Sequence, residues 1–217
     1  MGSSQQDGTG GLRAQIPAWV FTWRNWEDSQ LSVGDVMAVL IAYAGENVRL
    51  GPKHGGGGPY AAAIVRPLGG ESFPDASSVD ALVEIVSLAV SGVEVLRDAS
   101  AHAPILAARL AGEKLEHHDL GEQGKGPLWL ITTSEPCRSC LEVLKLFRLF
   151  NVIYAVRGAT VEKLAQQERG EPPRNWKRFK LVQLPAFQPE AAAVISGWKK
   201  RQENRGEADY NPELEGQ

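Results

Sequence analysis

A close pair of cysteines between a predicted strand and a predicted helix constrains this chain most. Cys137 and Cys140 lie three positions apart, directly after Pro136. The β-type run 128–132 precedes the pair, and a helical pattern covers 137–150. Two thiolates one helical turn apart point the same way, and a helix N-terminus favours their anionic form. Such a pair can share a tetrahedral zinc ion, although a thioredoxin-like redox pair also lies between a strand and a helix.

One histidine supplies a third candidate ligand. His102 stands near the start of the helical segment 101–115, well upstream of the cysteines. One His and two Cys form a three-ligand set that leaves a fourth zinc position for water, as in catalytic rather than structural sites. Zinc would bring the pKa of that water toward neutrality. Because a lone His at a helix start is more often a surface or capping residue, the zinc prediction depends on the combination with the cysteines.

The rest of the chain alternates between helical and β-type patterns, which predicts an α/β layer fold. Helices are predicted over 33–44 with Ser32 as a possible cap, and over 78–97, 101–115, 137–150, 161–167 and 189–202. Strands are predicted over 61–65, 128–132, 152–156 and 179–182. Residues 1–15 are predicted to be a disordered leader and 203–217 a charged, disordered tail. The domain between them, 16–202, begins with a Trp-rich segment.

Charge and hydropathy limit the class of partner. The 217 residues are enough for one domain with a full core, and the net charge is −3. A protein that grips a nucleic-acid backbone usually has a basic excess, so nucleic acid is possible but not favoured, and a small molecule is preferred. No apolar run reaches the roughly 18 residues of a membrane span, and the first residues lack the pattern of a secretory signal. We therefore expect a cytoplasmic protein without a membrane partner.

A third motif gives the chain a recognisable resemblance. Residues 57–65 read Gly-Gly-Pro-Tyr-Ala-Ala-Ala-Ile-Val, and they are followed by His102-Ala-Pro and then by Glu135-Pro-Cys-Arg-Ser-Cys. In this order the motifs resemble the cytidine deaminase-like superfamily, in its guanine deaminase and tRNA-adenosine deaminase branch, over about 36–156. The resemblance implies a three-layer α/β/α fold with a central mixed sheet. It also implies zinc bound by His102, Cys137 and Cys140.

The resemblance assigns pocket positions and a quaternary state as well. Tyr60 matches an aromatic residue of the family's pocket, and the backbone around Ala62 is implied to line it. Ser134 and Glu135 are implied to lie beside the leaving amine. Relatives are usually dimers whose subunits complete each other's pockets, so a homodimer or a heterodimer with a related subunit is expected.

The chain departs from the family at the catalytic glutamate, which falls at Pro104. Proline is acceptable in the first helical turn, where its missing N–H is not needed. However, losing a general acid/base typically costs about 10²–10⁴ in rate. The replacement thus spares the fold and removes the family's proton shuttle.

A second departure lies between the first two motifs. A long helix is predicted within 66–100, where relatives have a short strand and a loop with a substrate-binding asparagine. Asp98 and Ser100 stand there instead, so Asp98 and Pro104 are expected in a rebuilt pocket. The family's substrate specificity cannot be carried over.

Three functions stay open at this point. The chain is a zinc-dependent hydrolase acting on a nucleobase, nucleoside or related amino-heterocycle with an atypical or relocated base. The first candidate for that base is Glu135, followed by Asp98, His117 and His118. Alternatively, it is a catalytically inactive zinc-binding subunit with a structural or regulatory role. A third possibility is a different zinc Lewis-acid reaction on a biosynthetic intermediate.

Overall fold

The structure is a computed structural model that describes residues 16–22, 30–69, 78–121, 127–166 and 176–209. The predicted leader, 1–15, lies outside the described residues, as do part of the Trp-rich segment, 23–29, and the end of the predicted tail, 210–217. No described helix combines the length and apolarity needed for a transmembrane segment.

A six-stranded mixed sheet forms the centre of the domain. The strands are β1 Gln30–Ser32, β2 Ala61–Pro67, β3 Leu82–Val90, β4 Trp129–Ser134, β5 Asn151–Val156 and β6 Lys180–Gln183. Their spatial order is β1-β3-β2-β4-β5-β6. The pairs among β1, β3, β2 and β4 are antiparallel, whereas β4, β5 and β6 run parallel. Helical crossovers connect the parallel strands, as parallel pairing requires.

Helices cover the sheet. They are α1 Trp19–Thr22, α2 Val33–Leu50, α3 Val93–Leu96, α4 Ala103–Leu115, α5 Arg138–Leu146, α6 Gly158–Ala165 and α7 Gln188–Asp209. Helix α2 packs against α7, and α4 packs against α5, and each of these pairs also contacts the sheet. Every residue of 61–65 and of β4 is buried, so both faces of the central strands are covered. The predicted three-layer α/β/α fold with a mixed sheet is confirmed.

The predicted cap of the first long helix is confirmed. The backbone N–H of Asp35 donates to Ser32 Oγ at 3.0 Å, and the N–H of Ser32 donates to Asp35 Oδ2 at 3.4 Å. This reciprocal capping box satisfies two N–H groups at the helix start. Helix α2 then runs to Leu50, past the predicted end at residue 44. At the other end of the chain, α7 continues beyond residue 202 to Asp209, and so occupies the first part of the predicted disordered tail.

The predicted helix over 78–97 is wrong, because strand β3, Leu82–Val90, occupies the middle of this segment. Its apolar residues fit a helical period, but residues 85–90 are all buried, so the strand is covered on both faces. A strand of this kind has a continuous apolar run instead of an alternating one, which periodicity cannot distinguish from a helix. Its β-branched residues Val83, Ile85 and Val86 favour the extended form. The expected replacement of a strand by a long helix is therefore also wrong.

The strand directions define one edge of the sheet. Because β2 is antiparallel to β3 and β4, the start of β2 lies beside the ends of the other two strands. Tyr60, Ser91 and Ser134 come together at this edge, and Ser91 N donates to Tyr60 O at 2.8 Å. Helix α5 follows β4 from the same edge.

Candidate metal centre and its cavity

Two helix starts carry the three predicted zinc ligands. His102 is the N-cap residue of α4 and Cys137 the N-cap residue of α5, and both have extended backbone angles. Neither side chain caps its own helix. Cys140 lies one turn into α5 and is buried. The packing of α4 against α5 therefore brings the imidazole and the two thiols together.

The distances between the three donor atoms fit one metal ion. Nδ1 of His102 lies 3.4 Å from Sγ of Cys137 and 3.4 Å from Sγ of Cys140, and the sulfurs are 3.5 Å apart. Zinc bonds of about 2.3 Å to sulfur and 2.0–2.1 Å to nitrogen place tetrahedral ligands about 3.5–3.8 Å apart. Small outward shifts would thus accommodate zinc. Within the described residues, these three are the group of metal-binding side chains that satisfies this geometry.

The electrostatics of Cys137 also favour metal binding. Its hydrogen bond with Cys140 lowers the pKa of the Cys137 thiol, burial raises it, and its contact with His102 lowers it further, to about 3. A thiolate is the form of cysteine that binds zinc. The donor set and its charge state therefore fit zinc.

The three donors open into a cavity of about 290 Å³. Three further predicted pocket residues, Tyr60, Pro104 and Ser134, line it. Pro104 is in the first turn of α4 and is buried. The structure therefore brings six predicted site residues to one cavity, and it places proline beside the three candidate metal ligands.

The carboxylate of Glu135, the first candidate base, forms a hydrogen bond with the start of helix α6. Its Oε2 accepts a hydrogen bond from Gly158 N at 2.8 Å, at the start of α6, where a helix N-terminus favours a negative charge. Its own N–H donates to Val156 O at 2.8 Å. Glu135 is not among the residues lining the cavity. This contact engages Oε2 at the start of α6 and not at the cavity surface.

The other predicted residues also lie off the cavity surface. Ala62 is fully buried within β2. The Oδ1 of Asp98 accepts hydrogen bonds from Ser100 N at 2.8 Å and Ser100 Oγ at 2.7 Å, which lower the pKa of this exposed carboxyl. The rings of His117 and His118 stack on each other in an exposed turn. Thus Asp98, His117 and His118 do not line the cavity.

The sequence predictions missed several cavity residues, and those outside the three motifs that carry a polar group are Ser91, Glu94 and Trp198. Ser91 and Glu94 follow strand β3 and were hidden by the incorrect helix prediction. Trp198 belongs to α7, and its Nε1–H donates to Glu94 Oε1 at 3.1 Å across 104 positions of sequence. No local pattern signals a contact of that range. The strand-like composition of 83–90 could have indicated the first two.

Asn47 forms hydrogen bonds to two loops that line the cavity, one at Gly58 and one at Ser91. Its Nδ2 donates to Gly58 O at 2.7 Å and to Ser91 O at 3.0 Å, and its side chain is buried within α2. Buried carbonyls need such partners, because an unpaired one costs stability. Asn47 therefore holds the backbone of the cavity wall opposite α5.

Solved structures of deaminases have the same arrangement of elements. Guanine deaminase from Nitrosomonas europaea superposes with a TM-score of 0.66 at 23% identity, covering 85% of this chain and 94% of that chain. This chain has the cytidine deaminase-like fold. NE0047 bound to 2,6-diaminopurine gives a TM-score of 0.67 at 22% identity, with 85% and 90% of the two chains covered. A variant of NE0047 bound to 8-azaguanine gives 0.68 at 23% identity, with 85% and 95% covered.

The deaminase-like fold is thus established by structure, and the predicted resemblance is confirmed at that level. No protein-family model matches the chain, and no curated protein matches it. The low identity to the solved structures means that the chemistry of this site has to be argued from its own residues.

Proposed function

We propose that this chain is a zinc-dependent, deaminase-like hydrolase that acts on a nucleobase, a nucleoside or a related amino-heterocycle. One observation carries the proposal: His102, Cys137 and Cys140 lie at zinc-ligand separations where a cavity opens, on a fold shared with guanine deaminase. Three protein ligands leave one zinc position open, which distinguishes catalytic from structural sites.

Each part of the cavity has a separate task in this proposal. Zinc, when bound, acts as a Lewis acid and activates water at neutral pH. His102, Cys137 and Cys140 would hold the ion where the cavity opens, and Tyr60 offers an aromatic surface to a flat ring. A volume of about 290 Å³ lies at the lower end of the roughly 300–1,000 Å³ of small-molecule pockets. This size favours a single heterocycle over a longer substrate.

The proton transfers cannot follow the family's route. Pro104 has no group that exchanges protons, and the carboxylate of Glu135 contacts Gly158 outside the cavity. The proposal therefore requires a general base of another kind, such as solvent water or a group on the substrate. The rate would then be lower than with a positioned carboxylate, by about 10²–10⁴.

Ammonia release tests this function directly. Zinc-loaded protein is incubated with purines, pyrimidines, pterins and their nucleosides, with Cys137→Ala as the control that disrupts the metal site. We expect zinc-dependent ammonia release from at least one compound above that control. Equal release by both proteins, or none from a protein that retains zinc, would contradict the proposal.

A second function is favoured by Pro104 alone. A buried proline beside the metal ligands suits a zinc-binding subunit without activity, which has a structural or regulatory role in a dimer. The variant Pro104→Glu separates the two functions. If the wild-type protein releases no ammonia and Pro104→Glu does, the cavity is intact and only the proton shuttle is missing, as a noncatalytic subunit predicts. The dimer and the cytoplasmic location stay predictions.

A further inference from the structure

A second cavity lies at the opposite end of the sheet from the candidate metal centre. It consists of two adjoining hollows of about 620 Å³ and 450 Å³ that share Gly121, Arg148, Phe150 and Arg178 in their walls. The cavity adjoins the beginnings of β4, β5 and β6, whereas the candidate metal centre follows the end of β4. A strand rises about 3.3 Å per residue, so roughly 20 Å along β4 separate the two sites.

Four cationic side chains line this cavity, which we call the basic groove: Lys145, Arg148, Arg178 and Lys180. None of the described residues that line it is acidic. The whole chain has a net charge of −3, so this positive charge is concentrated locally. The segments 122–126 and 167–175, which lie outside the described residues, each contain equal numbers of acidic and basic residues. A cleft lined by one sign of charge focuses the electric field and attracts counter-ions.

Two of the cations have acidic partners that do not line the groove. The Nε of Arg148 lies 3.2 Å from Asp119 Oδ2, and the Nζ of Lys145 lies 3.7 Å from Glu142 Oε2. Solvent screens both ion pairs, because each includes a side chain that is about half exposed. The four cations and these two carboxylates together leave a positive balance around the groove.

The other two cations, Arg178 and Lys180, form no ion pair with a residue in the described part of the chain. Both side chains are exposed. The guanidinium carbon of Arg178 lies 4.9 Å from the centre of the Phe150 ring, and this cation–π contact holds the side chain at the groove wall. A guanidinium carries several N–H donors, and no described residue accepts a hydrogen bond from those of Arg178. They are therefore available to a bound anion.

We propose that the basic groove binds a polyphosphate group, either free or as part of a nucleotide, with Arg178 and Lys180 as its principal contacts. Arginine pairs with phosphate oxygens through parallel N–H···O bonds, and lysine contributes a point charge. Several cations around one cavity match the several negative charges of a polyphosphate better than the single charge of a carboxylate. The site is separate from the candidate metal centre, so this proposal does not depend on the proposed hydrolase activity.

The size of the groove and the charge of the chain favour a compact anion over a nucleic-acid backbone. Both hollows lie within the roughly 300–1,000 Å³ of small-molecule sites. A nucleic-acid backbone is usually bound by a basic stripe along one face of a basic domain. In this acidic chain, by contrast, the four cations surround one cavity.

Calorimetric titration of the full-length protein with inorganic tripolyphosphate tests the site. We expect saturable binding that weakens as salt is raised. Lys180→Gln removes one charge and should weaken binding about tenfold, and Arg178→Gln should weaken it by at least as much, because hydrogen bonds between charged groups are the strong ones. Urea unfolding shows whether loss of the Phe150 contact destabilises Arg178→Gln. Lys180→Gln keeps the test valid in that case.

Two control variants locate the bound anion. Lys177 is exposed beside Arg178 but does not line the groove, so Lys177→Gln should change the affinity by less than about threefold. Polyphosphates also chelate zinc, and Cys137→Ala identifies binding through a metal ion at the candidate metal centre. Binding in the basic groove should be unchanged in Cys137→Ala, and its loss there would overturn the proposal.

Titrations with ATP and with a single-stranded RNA oligonucleotide identify the source of the phosphate groups. Tighter binding of ATP than of tripolyphosphate indicates a nucleotide, and equal or weaker binding indicates a free polyphosphate; both results support the site. The proposal is overturned if tripolyphosphate does not bind, or if Lys177→Gln weakens binding as much as Lys180→Gln. RNA that binds more tightly and is not displaced by tripolyphosphate would also overturn it.

Discussion

The two walls of the cavity differ in how they are built. On the metal wall, His102, Cys137 and Cys140 come from two adjacent helix starts, and their donor atoms are 3.4–3.5 Å apart. The opposite wall, formed by Gly58 to Tyr60, Ser91 to Glu94 and Trp198, combines three distant segments. It depends on long-range hydrogen bonds from Asn47 and from α7.

Because the two walls are built independently, the residues that could bind a metal and the residues that would contact a ligand can change separately. A short local motif suffices to bring three candidate ligands together, because one helix supplies two thiols a turn apart and the start of another supplies the imidazole. Selecting a ligand requires a wall whose shape is set by packing between elements far apart in sequence. The candidate ligand set can therefore be retained on one wall while the residues of the opposite wall differ.

Removing a candidate ligand from the metal wall should have the largest effect of the variants considered, a loss of bound zinc. His102→Ala leaves two thiolates, too few for a stable tetrahedral zinc site, so we expect the zinc content to fall from about one ion per chain to a small fraction of that. The measurement is metal analysis after dialysis. His54→Ala, which changes an exposed histidine in a surface turn, is the matched control and should retain zinc. Full zinc retention by His102→Ala would contradict this ligand set, whereas a disulfide between Cys137 and Cys140 that does not depend on His102 would support the thioredoxin-like alternative.

Weakening the opposite wall should cost stability without removing the metal. Asn47→Ala leaves the carbonyls of Gly58 and Ser91 without their buried donor, which we expect to lower the free energy of unfolding by about 1–3 kcal/mol. Urea denaturation measures this change.

Arg49→Gln is the matched control on the same helix, because the side chain of Arg49 is 64% exposed and an ion pair as exposed as the one with Glu46 contributes little to stability. If Asn47→Ala were as stable as this control, Asn47 would not hold the wall. Loss of zinc by Asn47→Ala would show that the two walls are not independent.

The smallest effect should come from the contact that fixes α7. Arg201→Ala removes hydrogen bonds to the carbonyls of Val48 and Arg49, with an expected loss of about 0.5–1.5 kcal/mol in the free energy of unfolding. Thermal or urea unfolding measures it, and zinc content should not change. Lys200→Ala, at the neighbouring exposed position, should be neutral. If Arg201→Ala and Lys200→Ala changed the free energy of unfolding equally, the hydrogen bonds of Arg201 would not contribute to stability.

The same contrast explains what the sequence could predict. The Pro-Cys-x-x-Cys motif and His102 carry local signals, and the elements around them follow ordinary helix and strand periods, so the fold and the metal group were predictable. The buried strand β3 was mistaken for a helix because its apolar run has no alternation. That error hid Ser91 and Glu94.

Glu135 shows a second limit of sequence reasoning. Adjacency to the Pro-Cys-x-x-Cys motif made it the first candidate base, yet its carboxylate contacts the start of α6. The orientation of a side chain between β4 and α5 depends on the position of α6. Tertiary packing sets that position, so the local sequence does not reveal it. Trp198 could not be found for the same reason, since its contact with Glu94 spans 104 positions.

X-ray absorption at the zinc edge is the most direct test of the central claim, an open zinc site with three protein ligands. Two sulfur scatterers at about 2.3 Å and one imidazole nitrogen at about 2.0–2.1 Å are expected, with a light atom in the fourth position. The His102→Ala variant should lose this signature. A shell of four sulfurs, or protein that does not retain zinc after dialysis, would contradict the account.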